Sequence, residues 1–431
     1  MTPVSRDDPS FTAPKGTRDL FPPESLEWQA LMRTAMDLFA GAGYSPVETP
    51  LFEHTEVFER GVGETTEVVG KQMYTFLDLG KRSLTLRPEG TAPVVRAVVE
   101  HRLERGSLPV RPLKLAYAGP MFRQERPQKG RYREFFQVGV EAIGSSDARV
   151  DAEVIELAVR YYKAVGLAPD LLLNSIGHVA DDCRLAYIEE LKRFLVANRD
   201  RLAPSDRDRV ESNALRTFDS KEERTIEVMR EAPLISDHLC AECKAHFEIV
   251  QELLNDIGVR YELAPRLVRG LDYYTRTTFE FVSGGLGAQN AIGGGGRYDG
   301  LSQALGGPEL PSIGFALGID RIMVARADAG ADAFWKPAID VYVVAIGEGA
   351  ERAALRIATE LRAAGVGTDL DLAGKGIKGQ MKDASRSGAR WAAILGEQEL
   401  ASGEVTLKDL GSGEQERVSI DELHRKVGSA S

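Results

Sequence analysis

Two stretches of alternating apolar character, Leu113 to Phe122 and Glu134 to Ile143, flank a segment with Pro-Gln-Lys-Gly at its middle. They read as the arms of a long antiparallel hairpin with that tetrapeptide at its turn. Ten of the sixteen residues in FRQERPQKGRYREFFQ, from 122 to 137, are charged or carry an amide, yet Phe122, Phe135 and Phe136 stand at its ends. A solvated run would not need the aromatics, and a core strand would not tolerate the arginines. With the arms in register, the period of two places Arg123, Glu125, Arg131, Arg133 and Phe135 on one face. Several guanidiniums on a sheet face are costly to bury without an anion. Arginine forks grip phosphate oxygens in pairs, and an aromatic ring beside them can stack on a base. The combination asks for a nucleoside triphosphate; a solvent-exposed hairpin laced with salt bridges is the alternative.

The 431 residues are too many for one ordinary core, so two or three domains are expected. Hydrophobic residues make up 43% and charged residues 28%, the balance of a soluble globular protein. No apolar run reaches the ~20 residues of a membrane span, and MTPVSRDDPS has no secretory h-region. Three cysteines argue against a disulfide framework and for a reducing compartment. The net charge of −11 does not advertise nucleic acid, but it leaves room for one basic patch.

Along the chain, residues 1 to 11 are expected to be disordered, and Glu24 to Ala40 has helical periodicity. Residues 73 to 76 and 84 to 86 read as strands around a turn at 78 to 81. Helices are expected over 89 to 105 and 147 to 164. Residues 178 to 258 look like an inserted helical subdomain. Strands return at 266 to 275 and 277 to 282, and a Gly-rich stretch runs to Gly296. A helix begins at Ile319, and 326 to 337 is a plausible linker. From Asp340 strands alternate with helices, an α/β pattern: VYVVAI, 350 to 364, GTDLDL, a basic helix, WAAILG.

Five further segments bear on chemistry. LVRGLDYYTRTTFEF, 267 to 281, would project Arg269 and Tyr273 from one strand face, and Asp272 and Tyr274 from the other. In AIGGGGRYDGL, 291 to 301, four glycines let backbone approach a ligand, although the run is neither a Walker loop nor a Rossmann turn. SIGFALGIDRIM, 312 to 323, sets Arg321 in the first turn of a helix. Lys375, Lys378, Lys382, Arg386 and Arg390 recur at three- and four-residue spacing, a basic face if helical. In DHLCAECKAHF, 237 to 247, Cys240 and Cys243 have the spacing of zinc ligands. Completing the set with His238 and His246 on one helix would be cramped, so helical packing is expected and no metal.

Taken together, these stretches resemble the class II aminoacyl-tRNA synthetases, and within them the histidyl-tRNA synthetase family. PKGTRDLFP at 14 to 22 is similar to that family's amino-terminal signature. VETPLFEHTEVFERGVGE with Pro50, FRQERPQKGRYREF and GFALGIDR resemble the three motifs of the class. RGLDYYT and GGGGRYDGL resemble the histidine-specific signatures. The likeness spans nearly the whole chain. It implies an α/β (α+β) fold: an antiparallel sheet flanked by helices over 12 to 325, a helical insertion over about 178 to 258, and an anticodon-binding domain over 338 to 431.

The resemblance also implies a reaction and residues for it. Histidine and ATP, with Mg2+, form histidyl-adenylate and pyrophosphate, and the histidyl group then passes to tRNA(His). Arg123 would hold the α-phosphate, with Arg269 as a second cation there, and Arg321 the γ-phosphate. Phe135 would stack on adenine, with Glu125 and Arg131 on the base and phosphate ends. Glu89 and Thr91 would hold the α-amino group. Gln137, Tyr273 and the run containing Gly293 and Gly295 would contact histidine. Glu141 and Tyr274 would address the imidazole, which when neutral has one donor and one acceptor. Arg126 and Gln128 would meet the tRNA acceptor end, and Lys375, Lys378, Lys382 and Arg386 the tRNA further away. A cytoplasmic homodimer is implied. The rivals are a non-catalytic regulatory subunit of histidine biosynthesis, whose members lack the last domain and catalytic arginines, and a synthetase for another amino acid.

Overall fold

The computed structural model describes residues 11–63, 66, 68–105, 112–180, 182–284, 290–335, 338–347 and 349–428. The expectation for residues 1 to 11 lies outside these apart from Phe11. The chain divides into two compact units, Met1–Phe334 and Trp335–Ser431.

In the first unit the strands are β1 (Ser45–Pro46), β2 (Phe52–His54), β3 (Tyr74–Leu77), β4 (Ser83–Leu86), β5 (Leu113–Phe122) and β6 (Glu134–Ile143). They continue with β7 (Asp170–Ser175), β8 (Glu262–Leu263), β9 (Thr275–Val282), β10 (Ala291–Arg297) and β11 (Ser312–Gly318). Eight form one sheet in the order β1-β5-β6-β11-β10-β9-β7-β8. Its interior pairings are antiparallel, and only the two short edge strands pair parallel. The hairpin β5–β6 is paired from Leu113↔Ile143 to Phe122↔Glu134, the limits the alternation predicts. A smaller sheet has the order β2-β4-β3.

Alternation sorts the large sheet's side chains onto two faces. Ala116, Val138, Val140, Phe279, Phe281 and Phe315 join the core covered by the helices Glu24–Gly41, Ala148–Ala164 and Ile319–Asp328. The first of these helices turns Leu31, Ala35 and Phe39 inward, a stripe at four-residue spacing that the helical period aligns. Phe39 meets Phe315 edge to face, 5.6 Å between centroids. Each such ring contributes about 1.5–3 kcal/mol through burial. Leu113, Leu115, Tyr117, Met121, Tyr273, Tyr274 and Tyr298 belong to the core on the other face, with the helix Thr91–Glu100 and the insertion.

Between the end of β7 and β8, every described element is helical. One expectation fails. Residues 266–274 form an irregular loop, and one strand, β9, begins at Thr275. Among the described residues no strand pairs with them, so the alternation that set Arg269 and Tyr273 against Asp272 and Tyr274 has no ladder to serve. The glycine run forms the central strand β10, between β9 and β11.

The second unit holds β12 (Val341–Ala345), β13 (Thr368–Leu370), β14 (Trp391–Leu395), β15 (Glu404–Asp409) and β16 (Gln415–Ser419), in the order β13-β12-β14-β15-β16. The three parallel strands and the helices Ala350–Ala363 and Ile377–Ser387 follow the sequence pattern. The antiparallel extension β15–β16 does not figure in it. Among the described residues, no helix is long and apolar enough to cross a membrane.

Candidate active site

A cavity of about 350 Å³ opens over β6, β11 and β10. Its wall gathers four segments that are far apart in the chain. The hairpin supplies Arg123, Glu125, Arg131 and Phe135; the helix start supplies Glu89 and Thr91. The loop before β9 supplies Arg269, Tyr273 and Tyr274, and the first turn after β11 supplies Arg321. Gln137 and Gly293 complete the expected residues on the wall.

The hairpin narrows as the reading proposes, with one exception. Beyond Phe122 the ladder closes through the Arg123 amide on the Arg133 carbonyl (2.9 Å), and the tip turns tightly between Gln128 and Arg131. Gly130 takes a φ of +71° there, open to glycine at little cost. Arg133 leaves the shared face: its guanidinium reaches the carbonyls of Glu125 (3.3 Å) and Lys15 (3.4 Å), so the period-of-two reading fails for this residue. Regular pleating ends with the strand, and the loop resets the facing.

Charge in the cavity is arranged for an anion. Arg131 lies 3.2 Å from Glu125, and the Arg123 guanidinium lies over the Phe135 ring, 5.3 Å from its centroid. Burial, helped by the like charge of Arg131, pulls the Arg321 guanidinium below its usual range. Two cations held together in a partly dry wall gain from a phosphate between them. Arg269 is ion-paired with Glu280, and its buried Nε has no hydrogen-bond partner among the described residues.

At the other end the wall is made of hydrogen-bonding groups. Glu89 accepts the Thr91 and Ala92 amides at 2.9 and 2.7 Å, capping the helix, and Tyr273 donates to it at 3.3 Å. Burial still pushes its carboxyl up. The buried Gln137 Oε1 has no hydrogen-bond partner among the described residues. Glu141 is fully buried just beneath the wall and accepts from Thr91 Oγ1 (2.7 Å) and from the Tyr298 hydroxyl. Burial raises its pKa to about 8. Gly295 also sits off the wall: a Cβ there would stand 2.0 Å from the Gly314 carbonyl. Gly294 is on the wall instead, where a Cβ would meet the Arg269 guanidinium at 2.8 Å.

Tyr298, Glu280 and Asp320 also line the cavity, and the sequence reading did not single them out. Tyr298 lies in the quoted GGGGRYDGL stretch, so its signal was adjacency. Asp320 accepts from Arg18 (2.6 Å) and the Phe136 amide (2.8 Å), which ties the amino-terminal signature to the hairpin. Arg126 and Gln128 are exposed at the hairpin tip. In the second unit Lys378, Lys382 and Arg386 are exposed on the helix Ile377–Ser387; Lys375, just before it, pairs with Asp383 at 2.5 Å.

The zinc-spaced cysteines have different neighbours from those weighed in the sequence. His246 is spent on Asp151 (3.2 Å), which Arg297 also holds, and His238 lies 3.5 Å from Glu190.

An antiparallel sheet of this order, with guanidiniums from three segments converging on a cleft over its middle strands, defines a class II aminoacyl-tRNA synthetase. A family model described as histidyl-tRNA synthetase matches residues 16–322, and one described as an anticodon binding domain matches residues 340–429. The histidine--tRNA ligase of Moorella thermoacetica is 51% identical over 408 residues, 94% of this chain and 95% of that protein. That of Saccharopolyspora erythraea is 51% identical over 425 residues, 98% and 99% of the two chains. The apo histidyl-tRNA synthetase of S. aureus superposes with a TM-score of 0.80 at 36% identity, covering 97% of this chain and 99% of that one. The chain belongs to the histidyl-tRNA synthetase family.

Proposed function

We propose that the cavity performs both steps of histidine--tRNA ligation, with roles as follows. The substrate carboxylate is already anionic, so adenylate formation needs no general base; it needs alignment and charge neutralisation. Arg123 and Arg269 neutralise the α-phosphate, Arg321 takes the γ-phosphate, and Phe135 stacks on adenine with Glu125 and Arg131 around it. ATP enters with Mg2+ as part of the substrate; Glu125 and Glu280 are wall carboxylates of the kind a hard cation accepts. Glu89, Thr91 and Gln137 hold the amino-acid end. Tyr274, with Glu141 beneath the wall, reads the imidazole, and the glycines of β10 admit its close approach.

One observation carries this reading: Arg123, Arg269 and Arg321, 146 and 52 residues apart in the chain, line one cavity together with the acceptor-rich pocket. A regulatory subunit without chemistry has no use for that convergence. ATP–pyrophosphate exchange driven by histidine and magnesium tests it. Equal exchange with proline or threonine, or none with folded protein, overturns it.

The second unit serves tRNA(His), supported by its match to anticodon-binding domains and by the exposed basic face of Ile377–Ser387. Arg126 and Gln128 meet the acceptor end. A homodimer is supported by Leu51, Phe52, Phe76 and Leu77, which are 44%, 49%, 44% and 68% exposed on the small sheet and its approach. Free thiols fit a cytoplasmic setting. The catalytic unit is taken as 12 to 325 with the insertion at about 178–258, the linker as 326 to 337 and the tRNA-binding unit as 338 to 431.

A further inference from the structure

All three cysteines of the chain meet at one point. Cys183 stands just before the helix Arg184–Ala197. Cys240 caps the helix Ala241–Asp256, and Cys243 lies in its first turn. His178, from the loop after β7, completes the group. Its Nδ1 is 3.1 Å from Cys243 Sγ and 3.7 Å from Cys240 Sγ. The four ligand atoms all lie within 4.8 Å of one another. Tetrahedral zinc with bonds of about 2.3 Å to sulfur needs ligand separations of about 3.8 Å. A contraction smaller than a side-chain rotation separates the two arrangements.

The surroundings are shaped for these sulfurs. Gly177 has a φ of +65°, and a Cβ there would stand 2.7 Å from Cys183 Sγ, so the loop reaches the thiol only because the residue is glycine. The Cys240 amide donates to Cys183 Sγ and the Cys243 amide to Cys240 Sγ, each at 3.5 Å. Amide donors aimed at sulfur favour thiolates and orient them as metal ligands. Buried cysteines that merely pack behave as small apolar groups. That role would leave unexplained why an imidazole nitrogen points among them.

We propose that His178, Cys183, Cys240 and Cys243 bind one zinc ion in a closed structural site. Three soft thiolates and an imidazole suit zinc, and four protein ligands leave no position for catalysis. This replaces the packing role expected for Cys240 and Cys243. The fourfold set was hidden because its halves lie 57 to 65 residues apart. The ion would pin the entry of the helical insertion to its last long helix. It would also anchor the cavity wall, because Arg184, next to Cys183, donates to the Tyr274 carbonyl at 2.6 Å, and Glu242, between the other two cysteines, pairs with Arg276.

The test is elemental analysis of the full chain purified under reducing conditions, with cobalt(II) exchange as a second readout. About one zinc per chain is expected, and cobalt should give the intense visible bands of tetrahedral coordination with a thiolate charge-transfer band. Cys243→Ser should lose the metal. Should that variant not fold, His178→Cys keeps the question open: it should retain zinc and shift the cobalt bands toward an all-sulfur site. Zinc below about a tenth per chain with no tetrahedral cobalt spectrum overturns the proposal. So does a Cys240–Cys243 disulfide, or three thiols that titrate freely in the native protein.

Discussion

The guanidinium of Arg269, in the loop before β9, closes on the carboxylate of Glu280 within β9 and lies over the Tyr274 ring, 5.7 Å from its centroid. Burial pulls Arg269 down, yet Tyr274 and Glu280 together hold it above its ordinary value. The cation is therefore held in place before any nucleotide arrives.

Arg269→Ala should mainly slow adenylate formation. The α-phosphate gains charge as it becomes five-coordinate, so a cation fixed there favours the transition state over the ground state. Loss of one such group costs on the order of 100- to 1000-fold in rate. Lysine should rescue in part, keeping the charge without the planar fork. Transfer from preformed adenylate should suffer less, since no pyrophosphate departs in that step. Single-turnover measurements separate the half-reactions. Equal slowing of both steps, or a change confined to the KM for ATP, would make Arg269 a ground-state ligand.

Glu141 should leave a mark on the pH dependence of stability. Burial raises its carboxyl from 4.5 to about 8, although Tyr298 and Thr91 oppose the shift. Between those values the folded chain keeps a proton that the unfolded chain releases. Stability therefore falls as pH rises through that window, by up to about tenfold in the folding constant per pH unit. Glu141→Gln removes this contribution, so the variant should gain on the parent steadily from about pH 5 to about pH 8 in denaturant titrations. Parallel curves for the two proteins would show that Glu141 is ionised in the folded state. In histidine-dependent exchange the same variant should raise KM for histidine more than KM for ATP.

A chain ending at Phe334, the limit of the first compact unit, should retain histidine-dependent pyrophosphate exchange and lose most tRNA charging. Reversing Lys378, Lys382 and Arg386 to glutamate in the full chain should mimic the second effect alone and flatten its salt dependence. Charging by the shortened chain at the full rate would place tRNA recognition elsewhere.

Phe52→Asp should weaken self-association. Phe52 is 49% exposed and meets Phe76 at 6.3 Å between centroids, so the two rings form one apolar surface. Light scattering at micromolar concentration should report a dimer for the parent and a shift toward monomer for the variant. A fully active parent monomer would leave that surface without its proposed partner.

The hairpin and its arginines were legible because a ten-residue alternation and a glycine turn are local signals, and local signals survive in a single sequence. The loop 266–274 was misread for the same reason. Arg269 and Tyr273 fall at strand spacing, as do Asp272 and Tyr274, and only the absence of a neighbouring ladder among the described residues says otherwise. Arg133 was placed on the wrong face because the period of two does not survive the end of a strand. Gly293 to Gly296 carry no hydrophobic periodicity at all, so nothing in their composition announces a central strand. His178 and Cys183 could not be joined to Cys240 and Cys243 without knowing that the insertion folds back on its own entrance.

At Gly293 and Gly294 the wall formed by β10 is main chain, and any Cβ there collides with Leu317, Tyr162, Phe279 or Arg269. A surface without side chains cannot be retuned by exchanging them. On the proposed reading, selectivity for the amino acid would drift through side chains elsewhere in the cavity, such as Tyr274 and Gln137. On the same reading, an inhibitor that rests its weight on the main chain at Gly293 and Gly294 would meet few single-codon routes to resistance, because a side chain at either position has no room.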